Sequence, residues 1–138
     1  MSVTALNDFI CYDTLQNHKV NGKILGFQFA IRLSFYRTLS LSCIEDLKVK
    51  ADGNEIESDA IVFIINNKRF SIAELPDLFG EWWYVMDTAT LFIDKFGGLS
   101  KGNHEIEVAI TLRGPYMNYH GDKYLTFTEV NKKTLVIN

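Results

Sequence analysis

The sequence predicts an all-β protein, an antiparallel β-sandwich of the immunoglobulin/fibronectin kind, and three observations predict it. First, Phe27, Phe29, Ile31, Leu33 and Phe35 occupy every second position, with Gln28, Arg32 and Ser34 among the residues between. Successive strand side chains point to opposite faces, so this spacing gathers large apolar groups on one side. A helix would scatter them around its circumference. Second, residues 104–112 repeat the pattern, with Ile106, Val108, Ile110 and Leu112 inward and Glu105, Glu107 and Thr111 outward. Third, ten Phe, six Tyr and two Trp suit pleated surfaces. Turn signals recur between short runs, as in a sandwich and not in a parallel α/β sheet.

The elements follow in order. The long first strand gives way to Tyr36-Arg37. Leu47, Val49 and Ala51 then alternate with Lys48 and Lys50, and Asp52-Gly53-Asn54 supplies the residues of a tight turn. Residues 61–65 are wholly apolar and predict a strand covered on both faces. Asn66-Asn67 tolerates the left-handed region and lets 68–72 fold back as a hairpin. One short helical turn is expected over 72–78, limited by Pro76. Residues 82–85 and 89–94 read as strands, and 95–103 as a glycine-rich loop in which Gly97-Gly98 needs positive φ. Two last strands, 124–130 and 134–137, are joined through Asn131-Lys132-Lys133.

Composition bounds the function. A chain of 138 residues fits a single domain over 1–138, and one near this size buries roughly 68–70% of its unfolded surface. Net charge is −3, with no basic stripe, which argues against nucleic acid. No apolar run approaches the roughly 20 residues that span a bilayer. The first residues lack both a basic region and a long apolar region, so a cytoplasmic location is expected. Cys11 and Cys43 are the two cysteines, and reduced thiols are expected.

Catalytic motifs are sparse. His18, His104 and His120 fall in no HExxH, no Cys-x-x-Cys occurs, and neither G-x-S-x-G nor a Walker loop is present. No catalytic and no metal-ligating residue is assigned. Leu99, Gly102 and His104 match the approach to a central strand in immunoglobulin-like sandwiches, where a ring bonds back across the corner. His104 stands in that place, and a nearby backbone carbonyl would satisfy it. The carboxylates Glu45-Asp46, Glu74, Asp77, Glu81, Asp87 and Asp94 read as solvated charges beside turns rather than an acid/base pair. In Trp82-Trp83 one ring faces the core; the other could stack on a sugar, enter an interface or pack under a loop. Tyr36-Arg37 and Arg113-Gly114-Pro115-Tyr116 each place an arginine and a tyrosine after an alternating strand. Loops of that kind collect function. The candidates for a substrate pocket or subunit interface are therefore Tyr36, Arg37, Trp82, Trp83, Arg113 and Tyr116.

With these residues in view, the chain resembles the small β subunit of bacterial C-glycoside deglycosidases. The carrying segments are Gly26-Phe27-Gln28-Phe29, Phe35-Tyr36-Arg37, Leu41-Ser42-Cys43-Ile44-Glu45-Asp46, Val49-Lys50-Ala51-Asp52-Gly53, Glu74-Leu75-Pro76, Trp82-Trp83, Gly97-Gly98-Leu99 and Gly102-Asn103-His104-Glu105, spread over about 24–116. It departs at Phe35, where the family often has tyrosine, at Thr38 (glycine) and at Lys101 (proline). The resemblance implies an obligate complex with a larger α subunit, a TIM barrel similar to sugar isomerases. That subunit would hold a divalent metal, manganese by expectation, and this chain would carry no cofactor. The implied substrate is a 3-oxo-C-glycoside, such as an oxidised flavonoid C-glucoside, cleaved at its sugar–aglycone carbon–carbon bond by elimination. The chain alone would be inactive, stabilising the barrel and enclosing the pocket. The alternatives are a stand-alone carbohydrate-binding or protein-interaction sandwich without catalysis, and a small hydrolase using its own carboxylates.

Overall fold

The computed structural model describes residues 8–35, 37–119 and 123–138, with backbone alone at 115–119 and 123–125. Eleven strands are found among them: β1 (Gln16–Val20), β2 (Lys23–Arg32), β3 (Leu39–Ser40), β4 (Ile44–Ala51), β5 (Asn54–Glu55), β6 (Ile61–Ile65), β7 (Lys68–Ser71), β8 (Trp82–Trp83), β9 (Thr88–Asp94), β10 (Gly102–Tyr119) and β11 (Lys123–Ile137). One sheet runs β1-β2-β9-β6-β7, the other β11-β10-β4-β5, and β3 pairs β8 separately. All pairings are antiparallel. With β1, β2, β9 and β6 in one layer and β11, β10 and β4 in the other, the strand order is that of an immunoglobulin sandwich. No helix among the described residues is long and apolar enough to cross a membrane.

The alternation of the first run builds one side of the core. Phe27, Phe29, Ile31, Leu33 and Phe35 are all buried, facing Leu47, Val49, Ile106, Val108, Ile110 and Leu112 from the second sheet. The strand itself stops at Arg32. The chain leaves the sheet there yet keeps its inward side chains buried, and Phe35 packs on Phe127 with ring centroids 5.8 Å apart. Asp52 and Gly53 (φ 51° and 82°) turn β4 into β5, and Asn66 and Asn67 (φ 54° and 62°) turn β6 into β7. The helical turn falls over Ile72–Asp77, opened by a capping box between Ser71 and Glu74. Two three-residue 3-10 turns, Leu41–Cys43 and Ser58–Ala60, accompany it.

Three further expectations are corrected, beside the first strand's earlier end at Arg32. The strand over 82–85 shrinks to Trp82–Trp83, because the chain turns at Tyr84, whose carbonyl accepts from the Asp87 amide at 2.9 Å. The apolar run 61–65 is fully covered on one face only: Ile61, Phe63 and Ile65 are buried, while Val62 and Ile64 stay partly exposed beside Phe92. The two last strands are one, because Asn131-Lys132-Lys133 continues the ladder opposite Val108, Glu107 and Ile106. A lysine at an inward position is accommodated by the segment that crosses it. Lys133 is buried, and its ammonium lies 2.6 Å from the Asp8 carboxylate, donates to the Ile10 carbonyl and sits 3.8 Å from the centre of the Tyr12 ring. Asn131 Oδ1 accepts from the amides of Phe9 and Ile10 at 3.0 and 2.8 Å. A polar triplet that resembles a turn is therefore the seat of a strap.

Candidate functional site

One end of the sandwich gathers the predicted contact residues. There β2 leaves its sheet, β4 begins and β9 begins, with Arg32 opposite Thr88 and Ile44 opposite Leu112. The β3–β8 ribbon closes this end, pairing Leu39 with Trp83 and Ser40 with Trp82. Strand alternation splits the two tryptophans as expected. Trp83 is buried, packs edge-on against Phe63 at 5.4 Å and donates its indole N–H to the Asp87 carbonyl at 2.9 Å. Trp82 points outward at 42% exposure. Trp83 is thus the support, and Trp82 the ring left open at the surface.

Side-chain hydrogen bonds hold the surrounding loops. Thr38 Oγ1 accepts from the Val85 amide at 3.0 Å, Asn66 Nδ2 donates to the Trp82 carbonyl at 2.9 Å, and Lys68 pairs with Glu81 at 2.8 Å. Ser40 Oγ lies 2.8 Å from Ser42 Oγ and donates to the Leu78 carbonyl, tying the 41–43 turn to the end of the 72–77 turn. Arg37 is exposed next to Thr38. Arg113 is half-buried; its guanidinium donates to the Ser42 carbonyl at 3.2 Å and lies 3.9 Å from Glu45. Four of the six predicted residues, Arg37, Trp82, Trp83 and Arg113, therefore reach this end. Tyr36 and the Tyr116 side chain lie outside the described residues.

Chemistry within the chain is thin at this rim. Burial raises the Cys43 thiol above its ordinary value, against the opposing pull of the Arg113 guanidinium, which keeps it a thiol and a poor nucleophile. Glu74 serves the capping box, Glu81 pairs with Lys68, Glu45 lies near Arg113, and Asp46 accepts from the Leu47 amide. Among the described residues, no group of three or more His, Cys, Asp or Glu could hold a metal. His104 sits at the opposite end, where β10 begins. It makes the expected corner bond, with Nε2 2.7 Å from the Ser100 carbonyl, and adds a second, with Nδ1 2.7 Å from Asp52. Both cysteines are free.

Sequence reasoning missed Phe79, Tyr84, Val85 and Met86. They are 68%, 54%, 40% and 89% exposed beside Trp82. The available signal was the unbroken apolar run Trp82 to Met86, which neither alternates nor carries the usual turn residues.

A protein-family model described as C-glycoside deglycosidase beta subunit matches residues 6–116. The chain belongs to that family. A C-glycoside deglycosidase beta subunit of Eubacterium cellulosolvens is 34% identical over 97 residues, covering 70% of this chain and 66% of that protein, just under two thirds of its length. A 3'-dehydrocarminate deglycosidase beta subunit of a Microbacterium species is 33% identical over 110 residues, 80% of this chain and 82% of the relative. A C-glycoside deglycosidase beta subunit of Arthrobacter globiformis is 34% identical over 108 residues, 78% and 81% respectively. The deglycosidase family match begins well before residue 24, taking in β1 and the strap at residues 8–10, and ends within β10. All six predicted contact residues fall inside it.

Proposed function

We propose that this chain is the small subunit of a hetero-oligomeric C-glycoside deglycosidase, working beside a larger α subunit built as an isomerase-like TIM barrel. The substrate class is a 3-oxo-C-glycoside. In support, one relative is named for a 3'-dehydro conjugate. The carbonyl at C3 acidifies the proton at C2, and a base on the α subunit removes it. The C2–H electron pair becomes the C1–C2 double bond as the C1–aryl bond breaks, and the aryl carbon takes up a proton. The products are an enone sugar and the free aglycone, with no net oxidation. By the family resemblance, the divalent ion, manganese by expectation, belongs to the α subunit.

The observation that carries the reading is the character of the rim. Trp82, Tyr84, Met86, Arg37 and Arg113 offer large contacting groups there, while the carboxylates Glu45, Glu74 and Glu81 are engaged in local contacts. Such an end is suited to enclosing another subunit's pocket. It would exclude water, which strengthens electrostatic interactions inside. The test is co-expression with the α subunit and assay on a 3-oxo-C-glycoside, with NMR of the first-formed products. Elimination predicts an enone sugar with no hydrogen at C2 beside the free aglycone. A first-formed sugar saturated between C1 and C2 contradicts the mechanism.

A further inference from the structure

We infer that the turn Tyr84-Val85-Met86 is a preformed apolar knob that seats in an apolar recess of the larger subunit, an inference that rests on the subunit reading above. Turn tips ordinarily carry Gly, Asn, Asp, Pro or Ser. This one carries Val85 and Met86, with Met86 89% exposed. No conformational adjustment is needed to present it. The Asp87 amide closes the turn on Tyr84, the Val85 amide is held by Thr38, and the buried Trp83 anchors its base through Asp87 and Phe63. Rigid presentation lowers the entropy cost of association.

The size of the surface fits a stable protein contact. Phe79, Trp82, Tyr84, Val85 and Met86 are between 40% and 89% exposed. At roughly 150–250 Å² per large side chain they present on the order of 600 Å². That approaches the roughly 800 Å² each partner gives to a standard interface, and it equals the upper end of what a monomer's largest apolar patch reaches, about 600 Å². An uncharged centre rich in aromatics and methionine is also the composition of an interface core.

The occupant is a different chain and not a second copy. A twofold axis through the knob would set tip against tip, and two convex tips do not nest; off the axis, each knob would need a recess on the other copy. A head-to-tail contact would need an apolar recess on this chain. Among the described residues, the cleft at 46–58 sets Asp46, Lys48, Glu55 and Glu57 beside Leu47 and Ile56, the one at 13–19 sets Asp13, Lys19 and Lys101 beside Leu15 and Ile24, and a third sets Asp13, Thr14, Gln16, Gln28 and Thr90 beside Phe29 and Ala30. Seating Met86 in any of them would strip water from charged or polar groups without pairing them.

The test uses the full chain co-expressed with its α subunit. Met86→Glu is compared with Phe96→Asp, an equally apolar and 79% exposed residue at the far end of β9. Circular dichroism and gel filtration confirm that each variant is folded. Met86→Glu is expected to weaken the complex at least tenfold, and Phe96→Asp to leave it intact. Wild-type affinity in Met86→Glu overturns the knob while leaving the subunit assignment standing. Loss of self-association with partner binding unchanged also overturns it, in favour of a second copy. A wild-type chain that binds no α subunit removes the subunit reading, and the knob with it.

Discussion

His104 is held by hydrogen bonds at both ring nitrogens: Nδ1 lies 2.7 Å from Asp52 Oδ2, and Nε2 lies 2.7 Å from the Ser100 carbonyl oxygen. A carbonyl can only accept, so Nε2 carries a proton; an ionised carboxylate also accepts, so Nδ1 carries one too. The Asp52 bond accordingly raises the imidazole above its ordinary value, against the opposing effect of burial. The same bond, helped by the Glu105 amide, lowers Asp52. A raised histidine contributes stability that is complete below about pH 6.5 and lost as pH rises through its folded value. A lowered aspartate contributes stability that is complete above about pH 3.9 and lost as pH falls through its folded value. The pair therefore serves best between these limits. Asp52→Asn keeps a residue tolerant of φ 51° and should cost about 1 kcal/mol near pH 6, discounted for the solvent exposure of the carboxylate. Thermal melts should show the gap between wild type and variant narrowing from pH 6 to 9.

Gly26 sits in β2 between His18 of β1 and Asp94 of β9. A Cβ there would stand 1.9 Å from the Ile93 carbonyl oxygen, which is backbone of the neighbouring strand and cannot swing aside. Gly26→Ala should destabilise by about 3 kcal/mol or more through forced separation of the ladder. Gly22 has open space and only its positive φ to lose, so Gly22→Ala should cost about 1–2 kcal/mol. Urea denaturation midpoints of the two variants check the contrast.

Lys133 and Asn131 bind residues 8–10 to β11. Removing the buried ammonium leaves the Ile10 carbonyl unpaired and the Asp8 carboxylate without its cation. Lys133→Met, similar in length, should cost about 2 kcal/mol. Hydrogen exchange should speed up selectively at the Phe9, Ile10 and Cys11 amides, which bond to Asn131 and Ala30.

The paired tryptophans separate structure from function. Trp83→Phe loses the indole bond to Asp87 and part of the packing on Phe63, a cost of about 2 kcal/mol. Trp82→Ala should change stability by less than about 0.5 kcal/mol, as surface substitutions do, yet lower the turnover of the assembled complex. Melting curves and aglycone release, measured on the same preparations, distinguish the two.

Local signals that read correctly were those whose cause is local. The alternation from Phe27 to Ile31 follows from the pleat of β2, and the turns at Asp52-Gly53 and Asn66-Asn67 follow from residues that tolerate positive φ. The short turn over Ile72–Asp77 follows from a serine cap and a proline. What misled was set by distant contacts. Lys133 reads as a turn residue because nothing beside it in sequence indicates that Asp8 and Tyr12 will cover it. Tyr84-Val85 reads as strand because its composition is apolar, and the turn closed there by the Asp87 amide is held by Thr38, remote in sequence. Trp82 and Arg37 stood out as contact candidates from their types, whereas their convergence at one end needed the β3–β8 pairing.

The most direct measurement is a titration of this chain into a constant amount of its α subunit, following aglycone release from a 3-oxo-C-glycoside. No release is expected from this chain alone, and a rate that climbs to a plateau at a defined ratio is expected on mixing. Turnover by the isolated chain, or an α subunit whose rate is indifferent to added chain, would contradict a small subunit whose rim completes another protein's reaction chamber.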